Sequence, residues 1–144
     1  MLRTEYFRNL KQLIETIETK LADAMDKAAA AIADAMASGR AVHIYDTGHM
    51  LSSELINRAG GLNAFKALNI RFDVENAVRD RAEDARKDRN MEGLMRYALK
   101  ASKVLPGDVL VIGSVSGKTV HPVDLALAAK EAGVYVIAMT SVAY

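Results

Sequence analysis

Two short apolar runs, each leading through small polar residues into a helix-forming segment, leave this chain few folds. The first is Ala41 to Tyr45, bounded by Gly39-Arg40 and by Asp46-Thr47-Gly48-His49. The second is Val109 to Gly113, followed by Ser114-Val115-Ser116-Gly117-Lys118-Thr119. An apolar run without polar alternation reads as a strand covered on both faces. Val134 to Met139 is a third run of this kind, so a third buried strand is expected. Helical spacing fills Met50 to Arg58, Met91 to Ser102 and His121 to Ala132, with Pro122 expected at the first helical position and Gly133 closing the last helix. Leu62 to Phe72 has no clean period and is expected to hold a weaker strand. Strands alternating with helices make βαβ units and a mainly parallel sheet, an α/β fold.

The N-terminal region is different. Phe7, Leu10, Ile14, Ile17, Leu21, Met25, Ile32 and Met36 recur mostly three or four apart, which predicts a helix over residues 3–38 that stops at Gly39, with a break near Thr19-Lys20 admitted. Unbroken, it would run for about 50 Å. That is longer than a small domain can cover, so a second surface is expected, such as a subunit partner. Residues 1–39 then form a helical region and residues 40–144 the α/β region of a single domain.

The 144 residues suit one domain, and 51% apolar residues can fill its core. A net charge of +1 and the lack of a basic stripe with interleaved aromatics argue against a nucleic-acid partner. The chain has no cysteine, which excludes disulfides and thiolate metal sites and favours a cytoplasmic setting. No apolar run approaches the roughly 18 residues of a membrane span. Three histidines among scattered carboxylates make no metal-ligand spacing, so neither a metal nor another cofactor is expected. Residues 79–90 mix five basic with four acidic residues. They read as a solvated face or, using Arg79 or Arg81, as a lid over an anion.

The two strand-to-helix loops carry the chemistry. A helix start offers unpaired N–H groups and the positive end of the dipole, which suits an anion. Glycine lets the backbone approach closely, and hydroxyls add hydrogen bonds. Helix capping would explain one hydroxyl. It does not explain Ser114, Ser116 and Thr119 with Gly117 and Lys118 in six positions. Gly117-Lys118-Thr119 also resembles the end of a P-loop. There the first glycine of that motif should fall at residue 112, which is Ile112, so the spacing argues against nucleotide hydrolysis.

The pattern S-x-S-G-x-T over Ser114 to Thr119, then P-x-x-x-A-x-x-A-K-x-x-G over Pro122 to Gly133, then a strand ending in Thr140-Ser141, resembles the SIS (sugar isomerase) domain. Thr47-Gly48-His49 with Glu54-Leu55 and Arg58-Ala59-Gly60-Gly61 is similar to its uncharacterised, phosphoheptose-isomerase-like branch. The resemblance implies a three-layer sandwich on a five-stranded, parallel, flavodoxin-like sheet, dimerisation through helices, and phosphosugar binding. By position, Ser114, Ser116 and Thr119 would then hold the phosphate, and Thr47 and Gly48 would line the sugar side; from the loop chemistry itself, Gly117 would let the backbone approach the phosphate, and Lys118 would pair with it or stand as a solvated loop lysine. Asp46 departs from the family pattern by putting a negative charge beside this site. The family's final helix and strand would fall outside this chain, which ends at Tyr144 just after a strand.

Aldose–ketose isomerisation needs a base to move a proton between adjacent carbons and an acid at the ring or carbonyl oxygen. Glu54 is the candidate base, set against an ion pair with Arg58 four residues on. His49 is the candidate acid, set against a capping role. For His121 a cap is expected, set against a contact with the ligand, and for His43 a satisfied place in the core or sheet. Three functions stay open: a sugar-phosphate isomerase working through an enediol, a phosphosugar-binding module without catalysis, and a structural homodimer or higher oligomer.

Overall fold

The computed structural model describes residues 1–48, 51–56, 59, 63–73, 75 and 91–141. His49, Arg58, Gly60-Gly61 and the charged run 79–90 lie outside the described residues. The elements run α1 (Leu2–Lys20), α2 (Ala22–Ala37), β1 (Val42–Asp46), α3 (Leu51–Leu55), β2 (Phe65–Ala67), α4 (Leu94–Ala101), β3 (Val109–Gly113), α5 (Val120–Glu131) and β4 (Tyr135–Met139). The strands pair in parallel in the order β2-β1-β3-β4, with Val42 opposite both Phe65 and Val109, and Val109 opposite Tyr135. This is the flavodoxin-like order. Among the described residues the sheet has four strands, one fewer than the resemblance implies.

Alternation along the strands builds the layers, because successive side chains face opposite ways. Val42 and Ile44 of β1 and Val109 and Val111 of β3 pack with Phe65 and Ala35 on the α2 side, where Leu55 of α3 joins them. Tyr45, Leu110 and Ile112 point the other way and pack with Met95 and Leu99 of α4 and Leu125, Ala128 and Ala129 of α5. Helices therefore cover both faces. α4 starts at Gly93, which has no side chain to cap it; instead Asp124 of α5 accepts the N–H of Met95 at 2.9 Å.

The expected helix of residues 3–38 is divided at Leu21, just beyond the expected break. α2 ends as Gly39 predicts: Gly39 turns left-handed at φ 69°, its N–H reaches Met36, and Arg40 N–H reaches Ala35. Gly133 closes α5 with the same pair of bonds, to Lys130 and from Val134 to Ala129.

Two expectations need correction. β3 is buried throughout, but β4 is not: Tyr135 and Met139 are exposed, because β4 stands at the described edge of the sheet. α5 begins at Val120, so Pro122 is its third residue and Thr119, not His121, is the N-cap. Proline is tolerated there because the N–H it lacks would have had no partner within the helix. None of the residues of α1 is buried, in keeping with a helix too long for this domain to cover.

At the N-terminal end of the strands, His43 Nε2 meets Asp108 Oδ2 at 3.1 Å, and both residues are buried. Asp108 also accepts the N–H of Ala41 at 3.0 Å and of Leu105 at 2.9 Å. Burial pushes its carboxyl up, but the two backbone N–H groups and the His43 hydrogen bond and charge outweigh that and hold it below the usual carboxylate range. His43 is thus a satisfied sheet residue.

Candidate functional site

The strand order reverses between β1 and β3, so the loops after them diverge and leave a crevice at the carboxyl ends of the strands. A cavity of about 640 Å³ opens there. Asp46, Thr47 and Gly48 form one wall, Leu68 to Arg71 a second, and Thr119 to Pro122 a third, with Tyr45 among them. This size falls in the usual range of small-molecule sites.

The structure brings Thr47, Gly48 and Thr119 together on this cavity. Of the second loop, Thr119 is the residue that reaches the wall. Ser114 is buried, and its Oγ accepts the N–H of Gly117 at 3.2 Å. Ser116 Oγ accepts the N–H of Lys118 at 3.3 Å. Both hydroxyls thereby shape the loop and keep their own protons to donate. Gly117 stands at φ 61°, and a Cβ there would come within 2.7 Å of Thr140 Oγ1. The loop is also tied to the chain after β4, since Ser141 N–H donates to Val115 O at 3.1 Å. Lys118 is exposed and is not a lining residue.

The loop ends at the start of α5. Thr119 makes no side-chain cap bond to that helix. Val120 and His121 are the first two residues of α5, so their N–H groups have no intrahelical acceptor, and both residues line the cavity. α3 starts differently. Asp46 Oδ1 accepts Gly48 N–H at 3.2 Å and its Oδ2 accepts Ser52 N–H at 3.3 Å. The Asp46 carboxylate thus already accepts N–H groups around the start of α3.

Glu54 is exposed on α3 and does not line the cavity. His49 lies outside the described residues. Asn69 and Arg71 line the cavity without having been expected from the sequence, and His121, for which a cap or a ligand contact was expected, lines it as well. Arg71 lines the cavity, and the ring of His121 lies 6.4 Å from that of Phe72. Burial pushes the Tyr45 phenol up, so at neutral pH it keeps its proton. Among the described residues no three histidine, aspartate or glutamate side chains gather as a metal site, and no helix is long and apolar enough to cross a membrane.

Comparison with known proteins bears on the same region. A family model described as the SIS domain matches residues 5–141. A UPF0309 protein of Geobacillus kaustophilus is 33% identical over 144 residues, covering 97% of this chain and 55% of the relative. A UPF0309 protein of Brucella ovis is 36% identical over 142 residues, covering 96% and 57%. The chain thus spans little more than half the length of these relatives. Among solved structures, the phosphoheptose isomerase of Neisseria gonorrhoeae superposes with a TM-score of 0.61 at 19% identity, over 97% of this chain and 75% of that one. The phosphoheptose isomerase of Francisella tularensis gives 0.63 at 17%, over 95% and 72%. At these identities the likeness is one of fold.

Proposed function

The chain belongs to the SIS domain family, and on that premise we propose that its cavity binds a phosphosugar in the cytoplasm and that the site isomerises it between aldose and ketose forms. One observation carries the reading. Thr119, Val120 and His121 at the start of α5 line a cavity at the topological switch point, and Arg71 lines it too. A phosphate at α5 gains from the N–H groups of Val120 and His121 and from the helix dipole. Ser114, Ser116 and Gly117 hold the loop in the shape that presents them, and Lys118 adds positive charge nearby. Thr47 and Gly48 then face the sugar, and the Tyr45 phenol is a further donor. The solved structures of this fold include proteins described as phosphoheptose isomerases, which supports a sugar phosphate as the ligand class.

A second reading, binding without catalysis, is favoured by the place of Glu54 outside the cavity lining. Among the described residues that line the cavity, His121 is the candidate proton-transfer group for isomerisation.

Thermal unfolding against a panel of sugar phosphates tests the reading. Ligand at 100 times its dissociation constant should add about 2.7 kcal/mol of stability. For a chain of this size that raises the midpoint by roughly 8 °C. The matching unphosphorylated sugars should give no rise. Equal response to both would sink the phosphate assignment, and no response to any would sink the ligand reading. Exchange of deuterium into the sugar C2 position then separates isomerase from binding module.

A further inference from the structure

Asp46 ends β1, opposite Gly113 at the end of β3, and lines the cavity. Among the described lining residues it is the one carboxylate, and Arg71 is the one lysine or arginine. Both Asp46 oxygens accept backbone N–H groups, Oδ1 from Gly48 at 3.2 Å and Oδ2 from Ser52 at 3.3 Å. The negative charge is therefore tethered to the backbone. The bond from Gly48 also uses a donor of the lining that could otherwise answer an anion.

A carboxylate accepts hydrogen bonds and donates none. A ligand hydroxyl can donate to it. A ligand carboxylate or second phosphate cannot, and like charge repels it as well. Thr47 and Asn69, which line the same cavity, carry a hydroxyl and an amide, groups that hydrogen-bond neutral hydroxyls.

We propose that Asp46 sets the charge of the ligand beyond its phosphate: the site takes a sugar monophosphate whose other end is an uncharged polyol, and rejects one with a second anion there. This rests on the reading of the cavity as a sugar-phosphate site, in which the start of α5 and Arg71 answer the phosphate. It narrows the substrate class, because aldonic-acid phosphates and sugar bisphosphates fall outside it. Two like unit charges about 10 Å apart, at an effective dielectric constant of about 20, cost roughly tenfold in affinity.

The alditol and the aldonic acid of whichever aldose phosphate raises the unfolding midpoint most test it; for glucose 6-phosphate these are sorbitol 6-phosphate and 6-phosphogluconate. The two differ at one carbon, which bears a hydroxyl in the first and a carboxylate in the second. Titration calorimetry on the whole chain, at neutral pH and low salt, should find the alditol about tenfold tighter. Asp46→Asn keeps the shape of the side chain and removes its charge. The ratio should then fall to about twofold or less, chiefly because the aldonic acid binds better. In the native chain the ratio should also shrink as salt rises to about 0.5 M, a measurement that needs no variant and separates repulsion from misfit. Equal native affinities, or a tighter aldonic acid because Arg71 takes its carboxylate, overturn the proposal. So does a ratio that neither salt nor Asp46→Asn changes, or an alditol that fails to bind a chain that binds the parent sugar phosphate. These outcomes leave the sugar-phosphate reading standing; a chain that binds no sugar phosphate sinks both.

Discussion

Replacing Gly117 by valine is expected to weaken sugar-phosphate binding by roughly 30- to 100-fold while the sheet stays folded. Gly117 sits at φ 61°, where a β-branched residue is strained by about 1–2 kcal/mol. Its new Cβ would also approach Thr140 Oγ1 to 2.7 Å, and Thr140 is too short to swing far away. The variant loop escapes by leaving its native shape. Binding must then restore that shape, at a cost of about 2–3 kcal/mol, and the affinity falls by the corresponding factor. Titration calorimetry on native and variant chains checks this. The far-ultraviolet spectrum should not change, since the loop lies outside both core clusters. Unchanged affinity would show that the loop does not position the phosphate.

Replacing Asp108 by alanine should cost about 3 kcal/mol of stability and lower the midpoint by roughly 10 °C. The carboxylate answers two backbone N–H groups, from different segments, and His43. Its removal leaves those donors in partly buried surroundings with nothing to accept them. The dependence on pH has a definite sign. The carboxyl titrates lower in the fold than in the unfolded chain. Its contribution is therefore complete above the unfolded value of about 3.9, and it is lost as pH falls through the lowered folded value. Urea unfolding of native and Asp108→Ala chains should differ by a constant amount at neutral pH and converge in acid. Sugar-phosphate binding should survive, because the pair lies at the opposite end of the strands from the cavity.

How much of this was legible in the sequence depended on where each signal is stored. β3 was clear because Val109 to Gly113 is buried on both faces, and such a strand carries its environment in its composition. β4 carries similar apolar residues, yet Tyr135 and Met139 are exposed. Composition reports that a strand wants cover; it does not report what lies beside it. α1 differs: its length already pointed to a surface that this domain does not cover, and none of its residues is buried. The start of α5 was misplaced by two residues because proline suits any position whose N–H is unused, and three such positions open a helix.

The site was read from its loops, and the loops were found. Thr47, Gly48 and Thr119 share one cavity, as motif spacing after two parallel strands allows. Arg71 and Asn69 escaped notice because the segment around them has no period: β2 is three residues long, and residues 68–73 form neither helix nor strand. No spacing rule connects Arg71 to Thr119; only the crossing of the chain brings them to one cavity. Asp46 shows the reverse. Its departure from the family pattern was visible in the sequence as a misplaced charge, and the structure gives it partners in Gly48 and Ser52.

The central claim is that a sugar phosphate lies in this cavity with its phosphate at the start of α5. A crystal of the chain grown with fructose 6-phosphate, or with whichever sugar phosphate raises the unfolding midpoint most, tests it directly. The account predicts phosphate oxygens about 2.7–3.2 Å from the N–H groups of Val120 or His121 and from the Thr119 hydroxyl, with the sugar toward Thr47 and Gly48. A phosphate bound elsewhere on the chain, or an empty cavity at saturating ligand, would contradict it.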